Sequence, residues 1–167
     1  MNTDWETAIE FVLNMEGGYT LDPKDPGGET KYGISKKAYP LLDIKNLTVE
    51  AAKEIYKRDY WQECHCDELP SAFAISVFDT AVNQGTGKAK RLLQITLDVD
   101  VDGIIGNKTI AAAFKAGPNL AKRFLAYRLV EYSKLMASNQ NLLVFALNWS
   151  NRVLSLAEII AKPRLLV

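Results

Sequence analysis

The sequence predicts a mostly α protein of six to eight helices with at most a small β-hairpin. Three observations carry this. Apolar residues recur at helical spacing along most of the chain. Runs that read as strands are few. One stretch, Ser71 to about Val82, is apolar nearly all round, as a buried central helix is. With 167 residues, 48% hydrophobic and 24% charged, the chain can bury a real core and lacks the composition of a disordered one.

Thr3 and Glu6 stand at capping-box spacing, and Trp5, Ala8, Ile9, Val12 and Leu13 then mark the first helix. Gly17-Gly18 stops it. Asp22-Pro23 and Asp25-Pro26-Gly27-Gly28 are turn signals, and short extended pieces around Tyr19–Leu21 and Lys31–Ile34 can pair as the hairpin. Ser35 is expected to cap a short helix ending near Pro40. Thr48 caps the next helix, with the stripe Val49, Ala52, Ile55, Tyr56 and Tyr60. Tyr60 to Leu69 reads as a polar connection, and Pro70 suits the first turn of the central helix. Beyond the loop Asn83-Gln84-Gly85-Thr86-Gly87, Lys88 to Leu97 is helical and Asp98 to Gly106 is a turn. Asn107 caps a helix to Ala116, which Gly117-Pro118 breaks. Two longer helices, about Asn119 to Ala137 and Leu142 to Ala161, follow.

Lys+Arg and Asp+Glu both number 20, so no basic excess marks a nucleic-acid partner. No run approaches the length of an uncharged membrane-spanning helix, and no stable membrane insertion is expected. Met1-Asn2-Thr3-Asp4 is acidic and does not read as a secretory signal, so synthesis in the cytoplasm without a Sec leader is expected. A monomer is expected.

Glu16 lies three and four residues beyond Leu13 and Val12 and so extends the buried stripe of the first helix. A carboxyl in such a place, at a helix C-terminus beside apolar side chains, has the environment of a general acid. Glycoside hydrolysis needs that acid and a second polar group to activate water or stabilise an oxocarbenium-like state. The following Gly/Pro loop offers Asp25 and Thr30, with Asp22 competing with Asp25. The plain alternative is a helix-end charge reaching solvent above turn-forming Asp-Pro pairs. Asn83 and Gln84 suit hydrogen bonds to sugar hydroxyls and N-acetyl groups, although Asn83 also suits a C-cap. Tyr19 and Tyr32 offer sugar-stacking faces or ordinary packing.

Two further runs invite metal readings. Asp98-Val99-Asp100-Val101-Asp102-Gly103 matches the first half of an EF-hand loop, but the twelfth position is Thr109 rather than Glu. A turn and cap explain it without a ligand. Cys64-His65-Cys66 brings three soft ligands where a structural zinc site wants four, and His65 is the sole histidine. Nucleophilic cysteine chemistry lacks a separate base. No metal and no other cofactor is expected.

The order Glu16, Asp25, Thr30, Gly33-Ile34 resembles that of the lysozyme-like muramidases of phages. More closely, Glu16-Gly17-Gly18-Tyr19, Asp25-Pro26-Gly27-Gly28-Glu29-Thr30 and Tyr32-Gly33-Ile34-Ser35 resemble the signature of glycoside hydrolase family 108. Tyr60-Trp61, Leu69-Pro70, Val77 to Asn83 and Asn148-Trp149-Ser150-Asn151-Arg152-Val153 extend the resemblance over nearly the whole chain. One departure is Leu147-Asn148-Trp149, where that pattern has Gly before Trp. The resemblance implies a lysozyme-like fold and N-acetylmuramidase activity on the β-1,4 bond after N-acetylmuramic acid in peptidoglycan. Glu16 is then the acid and Asp25 the second group by spacing, with Asp22 still open. Asn83 and Gln84 fall at the cleft. The run Val101 to Thr109 resembles small helical peptidoglycan-binding modules. The implied organisation is a catalytic lobe, 1–86, and a helical lobe, 87–167, packed as one unit. Peptidoglycan glycan strands are the implied partner, met at the cell wall after release. Inversion or retention is open. A non-hydrolytic peptidoglycan-binding or secretion-associated protein on the same fold is the alternative, and a calcium- or zinc-dependent module is a further rival.

Overall fold

The computed structural model describes residues 3–21 and 28–162. Among these are seven α-helices and a small sheet: α1 (Thr3–Met15), β1 (Thr20–Leu21), β2 (Glu29–Lys31), β3 (Ile34–Ser35), α2 (Val49–Tyr56), α3 (Ser71–Gln84), α4 (Thr86–Leu97), α5 (Asn107–Lys115), α6 (Pro118–Ser138) and α7 (Ala146–Ala161). The mostly α architecture is the one the helical periodicity implied.

α3 is the axis. Phe73, Ala74, Ile75, Val77, Phe78 and Ala81 are all buried, and α1, α4, α6 and α7 pack around it. The stripe Trp5, Ala8, Ile9 and Val12 of α1 is buried as the spacing required. Trp5, Trp61 and Phe78 meet edge-to-face, each pair of ring centroids 5.5 Å apart. Such pairs add about 0.5–1.5 kcal/mol each beyond the area they bury. The expected Thr3 cap rests on a side chain outside the described residues. Thr48 does cap α2, its Oγ1 accepting from Ala51 N–H at 3.2 Å.

The strands form an antiparallel sheet in the order β1-β2-β3, with Thr20 opposite Thr30 and Thr30 opposite Ser35. A third, two-residue strand is thus added to the expected hairpin. Lys31 pairs with Ile34 across Tyr32-Gly33, and both turn residues have positive φ, 51° and 77°. That is the type I′ geometry that matches strand twist, and it makes Ile34-Ser35 a strand.

Four local expectations are corrected. Tyr60–Leu69 is not a polar connection. α2 runs on as a π-helical stretch, Lys57–Gln62, which turns Trp61 fully inward, and Cys64, Cys66 and Leu69 are buried beside it. The exposed Gln62, Glu63, His65, Asp67 and Glu68 alternate with them and disguised the pattern. Ser35 begins a single turn, with its Oγ accepting from Ala38 N–H at 3.2 Å, but no helix follows. Pro40 has no N–H to continue it. Asn107 is the first residue of α5, not its cap. The last helix starts in α form only at Ala146, because Asn139 caps a 3₁₀ stretch, Gln140–Phe145, by accepting from Asn141 N–H.

Candidate active site

Glu16 is the first residue past α1, its N–H still bonded to Val12 C=O at 2.9 Å. Its side chain is 25% exposed, and its surroundings are not the apolar ones expected. Arg152, from α7, donates from Nη1 to Glu16 Oε1 at 2.9 Å. The other two guanidinium nitrogens of Arg152, Nε and Nη2, lie 2.9 and 2.8 Å from Asp79 Oδ1. Asp79 is buried in the middle of α3, and its Oδ2 accepts from Arg128 Nη1 on α6 at 2.5 Å. Arg128 Nη2 then reaches Tyr132 Oη at 2.9 Å, and that hydroxyl donates to Asn83 Oδ1. The network leaves the cleft at Glu16, crosses the core, and returns to the cleft at Asn83.

Buried charges persist when paired, and here every charge is paired although Arg152 Nη2 makes no hydrogen bond. Burial pushes the Asp79 carboxyl up, but Arg128 and Arg152 outweigh it and hold the group below the ordinary carboxylate value. Burial pushes Arg152 down, and Asp79 and Glu16 more than reverse it.

The hairpin faces Glu16 through Gly33. A Cβ placed there would stand 2.5 Å from Tyr56 Oη and 2.8 Å from Glu16 Oε2, so only glycine allows this approach at this φ. Tyr56, from α2, holds the turn by donating from Oη to Tyr32 C=O at 2.8 Å. Its own ionisation is pushed up, first by burial and then by the nearby Glu16.

Two cavities meet at Glu16. One, of about 420 Å³, is lined by Glu16, Asn83, Asn148, Trp149, Asn151 and Arg152, together with Met15. The other, of about 170 Å³, lies on the hairpin side against Gly33, Tyr39, Tyr56 and Tyr60. Glu16 and Asn83 line both. Trp149 is held by stacking on Tyr132, centroids 4.6 Å apart, and on Phe145 at 5.7 Å.

Of the residues singled out in the sequence, Glu16 and Asn83 are therefore brought together. Asp22 and Asp25 lie outside the described residues. Thr30 sits half-buried in β2, and neither cavity is lined by it, Tyr19, Tyr32 or Gln84. Tyr19 is exposed and donates from Oη to Glu29 Oε1 at 3.0 Å. Tyr32 contributes its backbone carbonyl, while its ring lies 5.4 Å from Lys31 Nζ. Both polar atoms of the Gln84 amide are out of reach of solvent and without a hydrogen-bond partner. Arg152, Asp79, Asn148, Asn151 and Tyr56 were not anticipated as site residues. Asp79 had a signal, being the one charge in an otherwise uncharged α3.

In the two metal-like runs, Asp102 is hydrogen-bonded and the two cysteines are buried. Gln94, itself buried, donates from Nε2 to Asp102 Oδ1 at 2.6 Å and accepts from Gly103 N–H at 2.8 Å. Asp102 Oδ1 also accepts from Ile104 N–H, and these bonds hold its carboxyl below the usual range. Cys64 and Cys66 are buried free thiols, and burial pushes Cys64 up to about 12. Among the described residues, no group of three or more His, Cys, Asp and Glu is arranged to hold a metal ion.

A helix-end acid facing a short hairpin across a cleft, in a mostly α body, defines a lysozyme-like protein. Residues 9–85 match the family described as Glycosyl hydrolase 108, and residues 88–154 match one described as Predicted Peptidoglycan domain. Among solved structures the chain is similar to "Structure of Brucella abortus SagA", with 30% identity over 96% of this chain and 95% of that one, at a TM-score of 0.81. No curated protein matches. The chain belongs to glycosyl hydrolase family 108, and its second family match supports peptidoglycan as the partner.

Proposed function

We propose that the protein is an N-acetylmuramidase, cleaving the β-1,4 bond between N-acetylmuramic acid and N-acetylglucosamine in peptidoglycan after release to the cell wall. The observation that carries this reading is the position of Glu16, on the shared wall of two cavities, where a chain of sugars threading the cleft passes its carboxyl. In this reading Glu16 gives its proton to the glycosidic oxygen as the bond to the anomeric carbon breaks. A water molecule then adds to that carbon and loses its proton to a carboxylate of the loop, Asp25 or Asp22. Asp25 and Thr30 take the second role, activating water or stabilising the positive charge, with Asp22 the competitor for Asp25. Asn83 offers an amide to sugar hydroxyl or N-acetyl groups beside the acid. The lobes 1–86 and 87–167 act as one unit on the glycan strand.

The experiment is turbidity clearing of purified cell walls by wild type and Glu16→Gln. A positioned general acid contributes about 10²–10⁴-fold, so the amide variant is expected to lose at least about 100-fold in clearing rate while still co-sedimenting with walls. Clearing at the wild-type rate would overturn the assignment. Wall binding by a wild type that clears nothing would favour the non-hydrolytic alternative.

A further inference from the structure

The acid in the first lobe is held by a cation from the second. Arg152 belongs to α7, within the segment matched as a peptidoglycan domain, yet its Nη1 lies 2.9 Å from Glu16 Oε1. The contact spans nearly the whole chain and is anchored from behind. Asp79 Oδ1 accepts from Nε of the same guanidinium and lies 2.8 Å from Nη2, which makes no hydrogen bond, and Arg128 donates to the far oxygen of Asp79. A planar guanidinium paired along its Nε–Nη2 edge turns its third nitrogen towards Glu16. The anchoring also comes from α3 and α6, the two helices against which α7 packs. The same turn of α7 presents Asn148 and Asn151 to the larger cavity beside Glu16.

We propose that Arg152, locked by Asp79, is a positioning residue for the Glu16 acid, and that α7 of the peptidoglycan-matched segment is a structural wall of the catalytic cleft. This rests on the muramidase reading. The second lobe then does more than tether substrate, because the cleft at Glu16 is incomplete without it. Tyr56 Oη from α2, Asn83 from α3 and the Gly33 turn complete the surroundings of the carboxyl. Among the described residues lining the two cavities at Glu16, Arg152 is the cation.

The test is steady-state kinetics on solubilised glycan strands well below Tm, using full-length Arg152→Gln, Arg152→Lys and Arg128→Gln. Arg152→Gln is expected to lower kcat at least 10-fold with KM within about twofold. Arg152→Lys keeps the charge but loses the planar fork, so kcat should recover only in part. Arg128→Gln breaks the same buried network without touching Glu16 and should lower Tm with a smaller fall in kcat. If Arg152→Gln does not fold, Arg152→Lys decides: a wild-type kcat would overturn the proposal. A wild-type kcat in a folded Arg152→Gln, or an equal fall in Arg128→Gln, would also overturn it. These outcomes leave the muramidase reading intact, since that reading is tested by wild-type and Glu16→Gln activity and by the sugar at the new ends, not at Arg152.

Discussion

At the scale of the residue, the site depends on one missing side chain. Gly33 combines a φ of 77° with a Cβ position already filled by Tyr56 Oη and the Glu16 side chain. Gly33→Ala therefore has to strain the turn and displace either the carboxyl or the tyrosine. A cost of about 1–3 kcal/mol is expected for the backbone alone, or a fall of about 2–10 °C in Tm for a chain of this size. Activity should fall further than stability explains, measured as clearing rate well below Tm. Glu16 was legible in the sequence because its spacing from Val12 and Leu13 fixes its face of the helix. Its partner was not, because nothing local ties Glu16 to a cation 136 residues away.

At the scale of the element, α3 carries an acid through a helix that is otherwise uncharged. Since Asp79 is held below its unfolded value, it stabilises the fold above the ordinary carboxylate pKa, near 3.9. That contribution is lost as the pH falls through the depressed folded value. Stability of the wild type should therefore drop steeply below about pH 4. Asp79→Asn should be less stable near neutrality and show a shallower acid dependence, measured by denaturant midpoints across a pH series. An equal slope in the two proteins would remove Asp79 from this role. The helices themselves were readable because apolar spacing survives any tertiary context that buries one face. The stretch after α2 was not, because five exposed polar residues hide Trp61, Cys64, Cys66 and Leu69. β3 was missed because two residues carry no periodicity.

At the scale of the whole molecule, the core is continuous, and buried residues from both family-matched segments, 9–85 and 88–154, belong to a single cluster. Cys64 and Cys66 sit inside it, and burial pushes both thiols above their ordinary value. A buried thiol reacts only through the thiolate and only when reached. The native protein should thus resist an aromatic disulfide reagent at pH 8, and labelling across a denaturant series should follow the loss of helical signal. Labelling well before that loss would mean that the segment between α2 and α3 opens independently. The same continuity joins α7 to the cleft, so that the wall on one side of Glu16 comes from residues near the end of the described chain.

Cleavage after N-acetylmuramic acid through Glu16 is reported directly by the reducing end it would create. Purified peptidoglycan would be digested, reduced with borohydride and analysed by mass spectrometry. Muramitol is expected at the new ends with wild type and essentially none with Glu16→Gln. Glucosaminitol ends, or muramitol formed at the wild-type rate by Glu16→Gln, would contradict it.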